Sequence, residues 1–403
     1  MRLDIVIWDF YERVDGQAYW DYWLDCYAQR EHIHIVRVVT VEDTEEAILN
    51  SLYGDWDYLL IFEKDMRAEF DEMFSRLNLP FERVIYAMRL VSWLNRPKNV
   101  SLLVKDNIYQ RCLDFWQERR HKKYLSCDVE GCHYIASSAD DAIMRSMYIN
   151  QKNWSGRDMA VFRQLAAAYY GTTDGSGYFL DIGANIGTTS IYFKKNIDAG
   201  IKILAFEPDS ENYRFLRINC LLNHMEEYVV LENIGLGDKE EQRALHKNVG
   251  NPGGNSILHD YDAGTEIIRI TTLDQYLERH SYCLSEIKYI WIDTEGFEPC
   301  VLHGARQLLK KCAIPIFMEF NPQLWETAGL FEMMMEFLRT YCMGVIYISE
   351  ALESGTKAPI HAVDEIERFR AKEEAETCKV DDIFLILRQS KYAQKLCHRE
   401  RDV

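Results

Sequence analysis

Between residues 178 and 187 the chain reads Tyr178-Phe179-Leu180-Asp181-Ile182-Gly183-Ala184-Asn185-Ile186-Gly187. The apolar start predicts a buried strand, and the two glycines predict a sharp turn that a ligand can approach closely. A helix is predicted over 187–195, with its free N–H groups directed at the turn, where they favour an anionic ligand group. The order of strand, turn and helix predicts a nucleoside-binding loop. A tight turn that binds no ligand is the alternative interpretation.

An acidic residue follows at the tip of the next predicted strand, 202–206. Glu207 can accept hydrogen bonds from two ribose hydroxyls, and Pro208 ends the strand beside it. A dinucleotide site prefers Gly-x-Gly-x-x-Gly, but this motif opens on Asp181, which would repel a pyrophosphate. Asp181 is suited instead to the α-ammonium group of a methionine moiety. The sequence therefore favours S-adenosylmethionine over NAD.

The rest of the chain alternates between strands and helices. After residue 207, strands are predicted over 228–231, 288–292, 314–320, 345–348 and 382–387, with helices over 209–222 and 331–342. This spacing is typical of an α/β fold with a parallel sheet covered on both faces. We predict three parts: an N-terminal α/β domain of unassigned role (1–145), a catalytic domain (146–392) and a tail (393–403).

The N-terminal part carries no glycine-rich turn after any predicted strand. Its strands are predicted over 3–8, 33–39, 58–62 and 83–87, and its helices over 42–51 and 67–77. A further helical stretch over 141–170 joins the two halves.

The charge balance limits the kinds of partner. The chain has 64 Asp and Glu residues against 46 Lys and Arg, a net charge of −18, which repels nucleic acid and anionic lipid. It has no apolar run long enough to span a membrane and no recognisable signal peptide, so we expect a cytoplasmic protein with reduced cysteines. No metal site is predicted, and self-association remains open.

Candidate catalytic groups lie where the predicted strands end. Asp293 and Glu295 follow strand 288–292, and Glu319 lies near the end of strand 314–320. Ligands of open parallel sheets sit at the carboxyl ends of the strands, so these acids could act as a base, accept sugar hydroxyls or hold Mg²⁺. We assign Asp293 as the main base or acceptor-orienting group. Glu295 is a further candidate, and His259, after the glycine-rich run 251–256, is a competing base.

Four stretches together resemble the FkbM-type methyltransferases over about residues 150–390. They are Phe179–Gly187, Ala205–Pro208, Thr272–Asp274, and Ile292–Glu298 with Leu302–Ala305. The resemblance implies a Rossmann-like class I methyltransferase fold with a mostly parallel seven-stranded sheet. It also implies methyl transfer, commonly to a hydroxyl oxygen of a sugar or natural product. By the same resemblance, the methionine end of the cofactor lies against Asp181, Gly183, Asn185 and Gly187, the ribose against Glu207, and the adenine near the loop from Asn233 to Asp238.

The functional prediction is an S-adenosylmethionine-dependent O-methyltransferase that acts on a hydroxyl of a sugar, polysaccharide or glycosylated natural product. Its expected partner is a small-molecule or glycan acceptor. Two alternatives stay open: a non-catalytic scaffold in a glycan or metabolite assembly pathway, and an NAD-dependent oxidoreductase. The loop 251–256 could form a lid over the acceptor or an ordinary surface loop.

Overall fold

The structure is a computed structural model of the 403-residue chain. The residues it describes are 3–10, 18, 20–21, 33–40, 43–62, 84–86, 111, 114–115, 118–119, 121–140, 142–171, 175–248, 251–370 and 381–393. They divide into two compact units, one of residues 1–123 with 148–150 and one of 124–147 with 151–403. The sequence prediction placed residues 124–145 in the N-terminal part. In the structure they belong to the second unit, whereas residues 1–123, with 148–150, form the first.

The first unit contains a four-stranded parallel sheet. Its elements are β1 (Leu3–Asp9), β2 (Ile33–Thr40), α1 (Glu45–Ser51), β3 (Tyr58–Phe62) and β4 (Val84–Tyr86). The strand order is β2-β1-β3-β4, which confirms the four predicted strands. Trp8 is buried in the core and donates its indole N–H to Ser51 Oγ at 2.9 Å. The helix predicted over 67–77 lies outside the described residues.

The second unit is built on a seven-stranded sheet. Its strands are β7 (Tyr178–Ile182), β8 (Lys202–Phe206), β9 (Val229–Glu232), β13 (Ile287–Ile292), β14 (Ile316–Phe320), β15 (Cys342–Tyr347) and β16 (Asp381–Leu387). The order across the sheet is β15-β16-β14-β13-β7-β8-β9. Only β16 runs antiparallel to its neighbours. The α/β class and the mostly parallel seven-stranded sheet are thus confirmed.

Helices of this unit connect the strands. They are α2 (Ile143–Asn150), α3 (Gly156–Tyr170), α4 (Thr188–Tyr192), α5 (Ser210–Leu222), α6 (Leu273–Arg279), α7 (Glu298–Gly304), α8 (Arg306–Lys311), α9 (Pro322–Thr327), α10 (Phe331–Tyr341) and α11 (Ile348–Ser354). The helix predicted over 187–195 is shorter than expected. From Phe193 to Ile197 the backbone widens into a π-helical turn, and the Asp198 N–H donates to Phe193 O. Within the described residues, no helix is both long and apolar enough to cross a membrane.

Two smaller sheets were not predicted. Strands β5 (Tyr124–Val129) and β6 (Cys132–Ser137) form a hairpin, and β10 (Gly235–Leu236), β11 (Glu241–His246) and β12 (Thr265–Thr271) form a three-stranded sheet. The hairpin is held to α5 by amide side chains, because Asn219 Oδ1 accepts the Ile135 N–H at 2.7 Å and Asn223 Oδ1 accepts the His133 N–H at 3.0 Å. These bonds explain why the hairpin groups with the second unit.

The strand register aligns one row of residues at the carboxyl edge of the sheet. Ile182 is level with Phe206 on one side and Ile292 on the other, and Ile292 is level with Met318. Each residue of this row is followed by one that lies at the edge. Gly183 follows Ile182 and Glu207 follows Phe206, whereas Asp293 follows Ile292 and Glu319 follows Met318. Asp382 of β16 lies opposite Glu319, because β16 runs in the opposite direction. This edge therefore collects carboxyl groups from several strands.

Candidate functional site

The turn after β7 requires glycine at its first position. Gly183 has φ of +87°, and its N–H and that of Ala184 both donate to Phe206 O, at 3.0 and 2.9 Å. A Cβ atom at residue 183 would lie only 1.8 Å from Asp293 O. The positive φ and the lack of space thus both exclude a side chain at residue 183. Because glycine has none, the loops after β7 and β13 can be in direct contact.

Glu207 is fixed by two backbone amides at the tip of β8. Its Oε2 accepts the Asn185 N–H at 2.7 Å and its Oε1 accepts the Asp209 N–H at 2.8 Å. Burial, together with the charge of Asp209, raises the pKa of the Glu207 carboxyl to about 8, although the two amides act in the opposite direction. Each oxygen keeps acceptor capacity for one more donor, as binding to a diol requires.

The first cavity, called here the inner cavity, opens above Gly183 and Glu207 and has a volume of about 50 Å³. Its wall combines backbone at glycines with apolar side chains, namely Ile182, Gly183, Phe206, Pro208, Ile234, Gly235, Leu236, Leu245, Gly253, Ile257 and Phe297. Such a wall suits the flat apolar face of a purine beside the carboxyl of Glu207.

One wall of the inner cavity is a loop tied to helix α5. Pro252 O accepts the Asn212 side-chain N–H at 2.9 Å, and Asp209, the N-terminal cap of α5, accepts the Asn255 side-chain N–H at 2.9 Å. Lys247 also forms an ion pair with Asp209 and another with Glu266. The glycine-rich run that the sequence predicted as a lid or a surface loop is therefore a bonded wall of the cavity.

The second cavity, called here the acidic cavity, adjoins the first and has a volume of about 290 Å³. The two share lining residues Gly183, Asn185, Gly253, Asp293 and Glu295. The residues that line only the acidic cavity are Ile143, Trp154, Asn251, Glu319, Asp381 and Asp382. A molecule in the acidic cavity would therefore meet a molecule in the inner cavity beside Asp293.

Asp293 and Glu295 lie close together, as predicted, and their surroundings raise the pKa of both carboxyls. Asp293 is exposed to the cavity, yet the surrounding protein and the charge of Glu298 raise the pKa of its carboxyl to about 7. Burial and the charge of Asp293 raise the pKa of Glu295 to about 8. A carboxyl with a pKa near 7 can exchange a proton at neutral pH.

Glu298 has a structural role in holding this loop. Its fully buried carboxyl accepts N–H groups from Thr294 and Gly296 at 3.0 and 3.1 Å, and the Trp325 indole N–H at 2.9 Å. With these donors engaged, it fixes the backbone on which Asp293 and Glu295 are carried.

Asp181 lies beneath the loop, outside the wall of either cavity. Its Oδ2 accepts the Ser190 hydroxyl at 2.5 Å, whereas its Oδ1 is buried and has no hydrogen-bond partner. Burial is the main cause that raises the pKa of this carboxyl to about 7. The buried unpaired oxygen is a site at which a bound donor would be stabilised.

Because Asp181 holds its proton more tightly when folded, stability should fall as pH rises. The unfolded chain loses this proton near pH 3.8 and the folded protein near 7. Stability is therefore lost as pH passes through 7, by roughly 1 kcal/mol between pH 6 and pH 8. Urea unfolding of the ligand-free chain at both pH values should show this decrease, and Asp181→Asn should reduce it by about that amount. An unchanged pH dependence in the variant would contradict the buried acid.

Besides Asp181, four predicted residues line neither cavity. Gly187 begins α4 with φ of +90° and packs under Leu216, and the Asn233 amide donates to Glu207 O and Pro208 O at 2.9 and 3.0 Å. Asp238 lies near Cys300 and His303, and burial together with the charge of Asp238 raises the thiol pKa of Cys300. His259 is exposed, with its ring 4.5 Å from that of Tyr261. The structure thus brings Gly183, Asn185, Glu207, Asp293 and Glu295 together and leaves the other predicted residues behind the walls or at the surface.

The sequence prediction missed the residues that complete the acidic cavity. Asp381 and Asp382 begin β16, and Trp154 precedes α3. The adjacent acids at the start of a predicted last strand were the available signal. Within the described residues, no group of three His, Cys, Asp or Glu side chains is arranged to hold a metal ion.

Comparison with known families gives the region its identity. Residues 181–342 match the family model described as the methyltransferase FkbM domain. This region is a methyltransferase FkbM domain. The expected resemblance is confirmed, and the FkbM domain contains Gly183, Glu207, Asp293 and Glu319. No curated protein matches the chain.

Several solved structures are similar to the chain that carries the FkbM domain. Methyltransferase FkbM from Methylobacillus flagellatus has 13% identity and a TM-score of 0.33, over 95% of this chain and 90% of that one. TYW2 from M. jannaschii, in complex with AdoMet, has 10% identity and a TM-score of 0.30, over 66% and 84%. P. horikoshii TYW2, in complex with MeSAdo, has 12% identity and a TM-score of 0.30, over 65% and 70%. Nothing about the chemistry of this chain follows from these similarities.

Proposed function

We propose that the FkbM domain binds S-adenosylmethionine in the inner cavity and methylates a hydroxyl group of a sugar-type acceptor in the acidic cavity. The observation that carries this proposal is the meeting of the two cavities at Asp293. One cavity offers a carboxyl for a diol and apolar walls for a purine. The other offers carboxyl acceptors for hydroxyl groups.

The inner cavity fits the chemistry of the cofactor. Glu207, fixed by two amides, would hold the ribose hydroxyls, and Phe206, Ile234 and Leu236 would enclose the adenine. Asp181 Oδ1 is buried without a partner but lies outside the cavity wall, so it would reach the ammonium group only if the loop above it shifted. Because small-molecule sites usually measure about 300–1,000 Å³, the bonded wall loop must shift outward on binding.

The chain's own groups would position the acceptor and take up its proton. When bound, the cofactor supplies a methyl group on a good leaving group, so catalysis depends mainly on alignment. Asp293, in its ionised form, accepts the proton of the acceptor hydroxyl as that oxygen becomes the nucleophile. Glu298 and Gly183 hold the Asp293 backbone in place, and Glu295 adds a second acceptor at the junction of the cavities.

The wall chemistry disfavours the NAD alternative. Glu207, Asp293 and Glu295 all line the inner cavity, and among its described lining residues there is no Lys or Arg to neutralise a pyrophosphate. The meeting of two cavities at Asp293 disfavours the scaffold alternative, since assembly with partners alone does not require such a junction.

Equilibrium dialysis of the full chain with labelled S-adenosylmethionine and labelled NAD tests the proposal. We expect S-adenosylmethionine to bind about 100-fold more tightly than NAD, a difference of roughly 2.7 kcal/mol. Glu207→Gln should weaken that binding by roughly 10-fold through loss of charge-assisted bonds to the ribose. Glu232→Gln is the matched control, since Glu232 ends the neighbouring strand β9, lines neither cavity and bonds to the Tyr276 hydroxyl. Preferential binding of NAD would contradict the proposal, as would equal effects of the two variants.

A further inference from the structure

The acidic cavity is lined by many more acidic groups than basic groups. Five carboxyl groups line it, those of Asp293, Glu295, Glu319, Asp381 and Asp382. Among its described lining residues there is no Lys, Arg or His to balance them. Burial and crowding raise the pKa of Asp293, Glu295, Glu319 and Asp382, and a cation that enters the cavity would favour their ionised forms.

Glu319 has a buried carboxyl oxygen without a hydrogen-bond donor. Its Oε2 is buried and forms no hydrogen bond, and Asp382 lies directly opposite it on the adjacent strand. Burial and the charges of the neighbouring acids, first of all Glu298, raise the pKa of Glu319 well above its ordinary value. A buried polar atom without a partner costs free energy, which a positively charged N–H donor would recover with a charge-assisted bond.

An aromatic ring completes the cavity. Trp154 lies on its wall with 47% of its surface exposed, so the ring remains available for contact. The face of an indole attracts ammonium groups and packs against sugar rings. A wall of carboxyl groups and one tryptophan therefore suits a molecule that carries both an amine and apolar ring faces.

The acidic groups extend beyond those that line the proposed cofactor site. Glu319, Asp381, Asp382 and Trp154 line the acidic cavity and do not line the inner cavity. Three of these residues, Trp154, Asp381 and Asp382, also lie outside the region that matches the FkbM family. A divalent cation is disfavoured because the described acids form no group arranged to hold a metal ion.

We propose that the acidic cavity selects an acceptor that bears a protonated amine, seated between Glu319 and Asp382 against Trp154. This inference rests on the proposed function and names its substrate class, an amino sugar or similar aminated polyol. A volume of about 290 Å³ is near the lower end of small-molecule sites and suits one ring. Neutral sugars would bind more weakly, and phosphorylated or carboxylated sugars would be excluded by repulsion.

Isothermal titration of the full chain with four probes tests this selection. The probes are glucosamine, glucose, N-acetylglucosamine and glucose 6-phosphate, at pH 6.5 with S-adenosylhomocysteine present. Glucosamine differs from glucose by an amine in place of one hydroxyl, and acetylation removes its charge. We expect glucosamine to bind at least about 10-fold more tightly than glucose or N-acetylglucosamine, and glucose 6-phosphate to bind most weakly.

Two variants link the preference to the named groups. Glu319→Gln and Asp382→Asn should each reduce the glucosamine preference to less than about 3-fold, whereas exposed Glu278→Gln should keep it. Equal binding of glucosamine and glucose would overturn the proposal, and so would a preference that both variants retain. Saturable Mg²⁺ binding that is lost in Glu319→Gln would also overturn the proposal, because it would show that the cavity binds a metal ion and not an amine. Cofactor affinity is measured separately, so loss of S-adenosylmethionine binding with retained amine selection would refute only the proposed function.

Discussion

Asp293→Asn should lower kcat by about 100- to 10,000-fold while it changes the dissociation constant of S-adenosylmethionine by less than about 3-fold. The amide has nearly the same size as the carboxyl but cannot take the acceptor proton. Because the pKa of Asp293 is about 7, the rate of the unaltered chain should rise with pH through 7 and then level. The variant should lack this rise. Transfer of labelled methyl to the sugar probe that turns over fastest measures both quantities.

Two further variants separate Asp293 from its competitors. Glu295→Gln should reduce kcat less than Asp293→Asn does, and exposed Glu278→Gln should leave kcat unchanged. A normal rate in Asp293→Asn would end the assignment of Asp293 as base. A larger loss in His259→Ala than in Asp293→Asn would transfer that role to a residue outside both cavities.

Gly183→Ala should destabilise the fold far more than an alanine at another glycine with a similar positive φ. Gly264 is the matched control, since its φ is +99° and a Cβ there would meet nothing within 4 Å. Gly264→Ala should cost about 1–2 kcal/mol, the penalty of a left-handed conformation alone. At Gly183 the methyl would also meet Asp293 O at 1.8 Å, which adds roughly 1–3 kcal/mol or more.

Urea unfolding of the two full-length variants measures the difference. The melting temperature should fall further in Gly183→Ala than in Gly264→Ala, by about 2–4 °C for each kcal/mol of stability lost in a unit of this size. Similar losses in Gly183→Ala and Gly264→Ala would mean that the loops after β7 and β13 can separate without cost. The direct contact described for these loops would then be incorrect.

The sheet was predictable because its signals are local. The apolar runs at 178–181 and 288–292 and the cap at Asp209 mark strand ends and a helix start, and each matches the structure within one or two residues. The hairpin of β5 and β6 was missed because its pairing depends on Asn219 and Asn223, which lie far along the chain. Nothing in residues 124–137 reveals those partners.

The site was predictable where it follows from strand ends alone. Gly183, Glu207 and Asp293 each come directly after a parallel strand, so they reach the same edge. Asp382 could not be placed this way, because it begins its strand and reaches that edge only if the strand is antiparallel. Asp181, in strand β7, and Asn233 and Asp238, after strands β9 and β10, were expected at the cofactor and lie behind the walls, since sequence spacing alone did not fix the direction of these side chains. Their roles, and the domain limits, stay predictions.

The bonded wall of the inner cavity has a consequence for kinetics. Binding of a nucleoside in a cavity of about 50 Å³ would require the wall held by the Asn212–Pro252 and Asp209–Asn255 hydrogen bonds to move outward. Opening must precede or accompany capture, so the association rate constant should fall below the usual range for an open site, and the observed rate should level off at high ligand concentration. Re-formation of the same bonds around the occupant would lengthen its residence time.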